Sequence, residues 1–383
     1  MVENTGYIIN ALSGAVKAPT GLFVYITSVR PLPDRGFFVA GDNMDRLEIY
    51  SKLDTPEAIA SLLALEEFSP VYREADRVRK EHVGDTVHLR AIIEFSNICK
   101  RQCIYCGLNR DNKELPRFRM SRDEIIETAA KAVKAGYRTI VLQSGEEDGI
   151  EKEWLGKVIT DIKSMTVPGT SDVPAVTVSC GEKDEETYRY LYEKGADRYL
   201  LKHETADPEL YDRLHPCGTL ESRVECLRTL KRLGYETGSG FMVGLPGQSL
   251  ETLGRDLLLL TEIPCRMAGI GPFISNPKTP LAGNPNGDPE LTRRAVAIAR
   301  LLLPDANLPL TTALSILSKE ETEKGCITEN PIEFGANVIM KKVTPDEYKA
   351  AYEIYPAQFN KTDILQDRKD LERMIMAYGR QPL

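Results

Sequence analysis

The stretch VHLRAIIEFSNICKRQCIYCGLNRDN, residues 87–112, decides how the rest of the chain is read. Its first half, Val87 to Phe95, is a β-rich and nearly continuous apolar run, as expected for a parallel strand covered on both faces. The second half places Cys99, Cys103 and Cys106 within eight residues. Thiolates this close together point to a metal. A tetrahedral zinc and an ordinary iron–sulfur cluster each take four protein ligands. The next cysteine is Cys180. The set stops one ligand short.

Working outward, the same strand pattern recurs at 138–145, 174–180, 197–204, 236–244, 267–273, 308–314 and 335–340, with helical segments between. Several helix ends are legible. Ser121 and Glu124 form a capping box before RDEIIETAAKAVKAG, which Gly136 closes. Asp288 followed by Pro289 opens ELTRRAVAIARLLL, and Val224, Leu227, Leu230 and Leu233 form one apolar face ending at Gly234. Eight strands alternating with helices predict an α/β fold, a closed (β/α)8 barrel of the TIM type, with an open doubly wound sheet as the alternative. Residues 1–55 read as an N-terminal extension of unclear role. Residues 56–383 read as the barrel domain, entered through two short helices at 56–82 and finished by DEYKAAYEIY and a helix near 367–379 as a C-terminal cap.

Of the 383 residues, 42% are hydrophobic and 28% charged, the balance of a soluble globular protein. A net charge of −8 argues against a general nucleic-acid-binding surface. No apolar run approaches the roughly 18–20 residues that span a bilayer. The start, MVENTGYIINALSGAVK, carries Glu3 where a signal peptide needs positive charge, so a cytoplasmic location is expected. Beyond the triplet, the cysteines at 180, 217, 226, 265 and 326 are scattered without a disulfide spacing and read as small buried hydrophobes.

In a barrel, the triplet falls in the loop after the first strand, on the C-terminal face where barrel active sites lie. Three chemistries compete there. One is a zinc site completed by His88 or His203. Another is a redox dithiol made from the CxxC half, although its surroundings are not thioredoxin-like. The third is a [4Fe–4S] cluster held through three irons, with the fourth left open for a ligand. The same barrel face gathers polar residues just past the other strands: Ser144 and Glu146, Ser179 and Glu182, Lys202, His203 and Glu204, Thr311 and Thr312.

CxxxCxxC after a first barrel strand, with Tyr105 before the last cysteine, resembles the radical S-adenosylmethionine (radical SAM) superfamily. The resemblance implies that the open iron binds S-adenosylmethionine. Electron transfer then releases methionine and a 5′-deoxyadenosyl radical, so that the cofactor carries the hard chemistry. GLNRDN, IVLQSGE, GADRYLLKHETADPELY, LGYETGSGFMVGLPGQS, GIGPF, TPLA, LPLTTA and GANVIM, in that order over about residues 60–380, are similar to the HydE group of [FeFe]-hydrogenase maturases. That group lies beside biotin synthase and methylornithine synthase.

Roles then follow by resemblance. Cys99, Cys103 and Cys106 would hold the cluster. Tyr105, Ser144, Gly145 and Glu146 (with Glu146 at the methionine ammonium), Glu204 and Arg223 would hold the methionyl and ribose parts of the cofactor. Ser179, Gly269 and Ile270 would border its adenosine. Thr177, Lys202, His203, Thr311, Thr312, Met340, Tyr352 and Tyr355 would line the substrate cavity. The implied substrate is a small organometallic, sulfur-containing precursor. A HydE-like paralogue acting on a different small molecule is the alternative. Implied partners are a reductant such as flavodoxin or ferredoxin and the companion maturases. The sequence departs from the group in two places. Lys202 stands where the maturases carry an arginine, which keeps charge but loses the bidentate fork. No cysteine follows Cys326, so a single cluster is expected.

Overall fold

Eight parallel strands wrap into a barrel in a computed structural model of the chain, which describes residues 46–323, 332–356 and 361–383. Most of the predicted N-terminal extension and Cys326 lie outside the described residues. The staves are β1 (Thr86–Ser96), β2 (Thr139–Ser144), β3 (Ala175–Ser179), β4 (Arg198–Leu200) and β5 (Glu236–Ser239), which continues as β6 (Met242–Val243). Next come β7 (Met267–Ala268), continuing as β8 (Gly271–Pro272), then β9 (Pro309–Leu310) and β10 (Val338–Lys342). A short β11 (Gln381–Pro382) pairs with the start of β1. Around the barrel the order is β7-β5-β4-β3-β2-β1-β10-β9, every pair parallel. The ring closes through a bridge between Met267 and Asn307, the latter just before β9.

Helices α1 (Arg46–Tyr50), α2 (Pro56–Leu63) and α3 (Ser69–Val83) precede the barrel. The outer layer comprises α4 (Arg122–Lys134), α5 (Lys152–Lys163), α6 (Glu185–Glu193), α7 (Pro208–Leu214), α8 (Leu220–Arg232), α9 (Leu250–Glu262), α10 (Pro289–Leu302) and α11 (Thr312–Glu323). A short α12 (Asp346–Lys349) and the longer α13 (Ile364–Ala377) follow. The helix starts obey local chemistry. Ser121 and Glu124 complete the reciprocal capping box of α4, and the side chains of Asp184, Asp207, Thr219, Ser249 and Asp288 each accept a first-turn amide.

Strand alternation sorts the side chains. In β1, Leu89, Ala91, Ile93 and Phe95 join the main apolar core shared with the helices, which leaves His88, Arg90, Ile92 and Glu94 for the lumen. Pairing sets the lumen's levels: Glu94 lies opposite Gln143, and Gln143 opposite Ser179. One level down, Ile92 is flanked by Lys342 and Val141, and Val141 by Thr177.

Several strand boundaries differ from expectation; the run at 197–204, for one, is strand only over Arg198–Leu200. The runs at 236–244 and 267–273 are each broken in two, because the backbones close up at Gly240 (φ 153°), where a Cβ would stand 2.1 Å from the Gly269 carbonyl oxygen. The run at 308–314 is strand only to Leu310, and Thr312 already begins α11. Among the described residues, no helix is long and apolar enough to cross a membrane.

Candidate active site

The cysteine loop leaves β1 at the C-terminal mouth and is held from several sides. Lys100 N–H donates to the Glu146 carbonyl (2.7 Å), Ile104 N–H to the Leu214 carbonyl (3.0 Å), and Gly107 N–H to the Ile354 carbonyl (2.9 Å). Cys99 and Cys106 pack against Leu108, Leu115 and Tyr352. A Cβ on Gly145 would fall 2.3 Å from the Ile98 carbonyl oxygen and 2.9 Å from Cys99 Cβ, so the backbone after β2 lies directly on the loop. Burial raises the thiols of Cys99, Cys103 and Cys106, that of Cys103 to about 12.

Among the described residues, no three His, Cys, Asp or Glu side chains gather closely enough for one metal ion. His88 lies at the far end of β1 near Arg90 and Arg198, and the fully buried His203 hydrogen-bonds Ser239. Neither completes a zinc site. A polynuclear cluster sets a different requirement, because each thiolate takes its own iron and the sulfurs stand farther apart than around a single ion. Three cysteines on one loop, close enough to influence one another electrostatically, could each offer it a thiolate.

An ionic clasp binds the neighbouring loops to this one. Arg101 lies 2.7 Å from Glu146 Oε1 and 3.1 Å from Glu182 Oε2, and donates to the Cys217 carbonyl at 2.6 Å. Glu146 Oε2 accepts the Glu182 amide at 3.0 Å. Arg223 Nε approaches Glu182 Oε1 at 3.0 Å, although without hydrogen-bond alignment, and lies 3.3 Å from the Tyr211 hydroxyl. Tyr105 belongs to the same layer. His215 Nδ1 faces the Tyr211 carbonyl (3.2 Å) and therefore donates, so Nε2 accepts from the Tyr105 hydroxyl at 2.9 Å. Burial lowers His215 to about 4, keeping it neutral. Glu204 holds φ at 66°, with its carboxylate 2.9 Å from Lys202 Nζ and electrostatically coupled to Cys103, Tyr105 and Cys106.

A Radical SAM superfamily model matches residues 93–260. The HydE subunit of [FeFe] hydrogenase maturase from Thermotoga maritima is 47% identical over 318 residues, covering 81% of this chain and 88% of that protein. The chain belongs to the radical SAM superfamily, on its HydE branch. A 3-methylornithine synthase from Methanosarcina acetivorans is 28% identical, covering 86% of this chain and 89% of its own. The crystal structure of methylornithine synthase (PylB) superposes with a TM-score of 0.72 at 25% identity, covering 86% and 94% of the two chains. This radical SAM enzyme therefore uses an iron–sulfur cluster and S-adenosylmethionine.

The radical SAM mouth collects most of the residues read from sequence. Ser144, Gly145, Glu146 and Ser179 lie at or just past the ends of β2 and β3, and Arg223 is buried on α8 rather than exposed. Gly269 and Ile270 connect β7 to β8, with the Ile270 side chain in the core. In the lumen, Thr177 Oγ1 is buried without a partner, Met340 is level with Arg90, Tyr352 hydrogen-bonds Gln143 (3.2 Å), and Tyr355 meets Thr312. Thr311 follows β9 and caps Leu314 N–H.

Two of these residues have partners that the sequence did not show. Glu146 bonds Arg101 through one oxygen and the Glu182 amide through the other, so it also braces the neighbouring loops. His203 lies past the end of β4 and turns toward Ser239 and toward Asp256 of α9. Sequence reading also missed Glu94, Gln143 and Lys342. Lys342 Nζ is 2.7 Å from the fully buried Glu94, whose carboxyl burial pushes up. A glutamate inside AIIEF was the available signal, since a charge in a doubly covered strand can face only the lumen.

Proposed function

We propose that the chain is a HydE-type maturase that carries a [4Fe–4S] cluster on Cys99, Cys103 and Cys106. It would act on a small organometallic, sulfur-containing precursor during [FeFe]-hydrogenase cofactor assembly. The observation that carries this reading is the three-cysteine loop over a polar, enclosed lumen, in a chain so close to a protein named as a hydrogenase maturase subunit. When bound, the cluster and S-adenosylmethionine supply a 5′-deoxyadenosyl radical. The chain's own residues do the rest. The Ser144–Gly145 backbone and Glu204 hold the methionyl end, and Tyr105 stiffens the cysteine loop through His215. Thr177, Gln143, Tyr352, Tyr355 and the Glu94–Lys342 pair orient the substrate, while the segment around Ile354 shuts out water.

The partners in this reading are a flavodoxin or ferredoxin as reductant and the companion maturases. The location is cytoplasmic, with residues 1–55 an extension of a barrel domain at 56–383. Anaerobic reconstitution tests it. A [4Fe–4S] spectrum, reductive cleavage of S-adenosylmethionine that Cys103→Ala abolishes, and activation of hydrogenase in a maturation mixture are expected. A protein that takes zinc but no iron and sulfide would refute it.

A second reading keeps the radical chemistry and changes the small molecule, as in a methylornithine-type rearrangement. It is favoured by Lys202, which pairs with Glu204 and lacks a guanidinium fork. Hydrogenase activation without a product from amino-acid substrates excludes it.

A further inference from the structure

Glu204 sits in a strained conformation at the centre of the mouth. Its φ is 66°, and Thr205 N–H donates to the His203 carbonyl at 2.8 Å across it, the pattern of the rare left-handed γ-turn. A non-glycine residue keeps such a backbone only where its surroundings over-determine it. Here they do, on both sides.

Before the turn, Ser239 Oγ accepts from the His203 backbone N–H (3.2 Å) and from His203 Nδ1 (3.0 Å), and donates to the Leu201 carbonyl (3.1 Å). After it, Asp256 on α9 accepts the Ala206 N–H and a hydrogen bond from Thr205. The other Asp256 oxygen lies 3.2 Å from Gln248 Nε2. Gln248 in turn ties up the Gly244 and Leu245 amides (2.7 and 3.2 Å) and the Met242 carbonyl (2.8 Å). At the turn itself, Glu204 N–H donates to the Gly240 carbonyl and Met242 N–H to the Glu204 carbonyl. His203, Ser239 and Asp256 are completely buried, with His203 Nε2 3.8 Å from Asp256. The two sequence strings KHETADP and FMVGLPGQS are thus pinned to one aspartate.

We infer that Asp256 is a positioning residue: through Thr205, the Ala206 amide and Gln248, and opposite Ser239, which grips His203 on the other side of the turn, it holds Glu204 in the left-handed backbone that aims its carboxylate at the space before the cysteines. The inference rests on the proposed role of Glu204 in holding S-adenosylmethionine. Strain at a binding residue, stored by a buried network behind it, is preorganisation of the site. Replacing Asp256 by Asn sets its NH2 against a donor in either flip, the Gln248 NH2 or the Ala206 N–H, and so loosens the far side of the turn.

The test is a double-mutant cycle on the full chain. In cluster-free protein, Glu204→Gly relieves the left-handed strain and raises Tm by about 2–4 °C. In the Asp256→Asn background that gain vanishes, because the turn is no longer enforced. In cluster-loaded protein, Asp256→Asn weakens equilibrium binding of S-adenosylmethionine by about ten- to a hundredfold. Turnover at saturating cofactor stays close to wild type. An equal Tm gain from Glu204→Gly in both backgrounds would overturn the inference, as would undiminished cofactor binding by Asp256→Asn. If Asp256→Asn does not fold, Ser239→Ala takes its place in the cycle with the same expectations. Wild-type binding by Glu204→Gln would sink the role given to Glu204 itself, while the Tm coupling would still report on the network.

Discussion

Replacing Arg101 by alanine should cost far more than its position on a loop suggests. The guanidinium is 16% exposed and faces carboxylates that are 5% (Glu146) and 11% (Glu182) exposed. An exposed ion pair contributes about 0.2–1 kcal/mol, whereas removing one partner of a buried pair costs about 3–5 kcal/mol by stranding the other charge. Partial compensation remains. Glu146 keeps the Glu182 amide at 3.0 Å, and Glu182 keeps Arg223 at 3.0 Å. The lower end, about 3 kcal/mol, is therefore expected for Arg101→Ala, and Arg101→Lys should fall between, having a charge but no fork. Urea unfolding of cluster-free protein gives the number, with Lys100→Ala as control, since Lys100 is 43% exposed. Because Arg101 also holds the Cys217 carbonyl beside the cysteine loop, iron bound after reconstitution should fall in parallel. A loss below about 1 kcal/mol, equal to the Lys100 control, would refute the clasp as a buried network.

Gly145→Ala drives a methyl group into the Ile98 carbonyl, so iron content should drop sharply while the far-UV circular dichroism spectrum is unchanged; normal loading would contradict the contact. Thr177→Val removes a buried hydroxyl without a partner and should leave cluster-free stability equal or up to about 1 kcal/mol higher, yet abolish substrate-dependent turnover; a clear loss of stability would mean that the hydroxyl is structurally bonded. His203 is lowered to about 3, chiefly by burial. Its neutral form therefore contributes stability that is complete above about pH 6.5 and lost as pH falls toward the folded value. Between pH 7.5 and 5.5 the wild type should lose about 1.4 kcal/mol that His203→Gln does not, measured by urea midpoints, and parallel curves would refute a neutral His203.

Local chemistry made much of this fold readable. Ser121 with Glu124, and Asp288 with Pro289, start their helices for reasons contained within four residues, and the apolar runs needed only both-face burial to become strands. What stayed hidden depends on groups distant in sequence. The break at Gly240 exists because a backbone 29 residues later touches it. The bracing role of Glu146 stayed hidden because Arg101, 45 residues earlier, is invisible as its partner until the loops meet. His203 and Lys202 are neighbours in sequence, yet His203 turns to Ser239 and Asp256 while Lys202 pairs with Glu204.

The stitching of the cysteine loop has a consequence in time. Asn97 Nδ2 donates to the Ala351 carbonyl, Gly107 N–H reaches Ile354, and Asn276 also donates to Ile354. A ribosome delivers Asn97 and Cys106 long before residues 351–354 emerge. Until they do, one wall of the cysteine loop is missing even though β10 has already been made. A nascent chain halted before Ala351 would have all three cysteines without the wall that seats them, so metal loading is expected to follow completion of this wall.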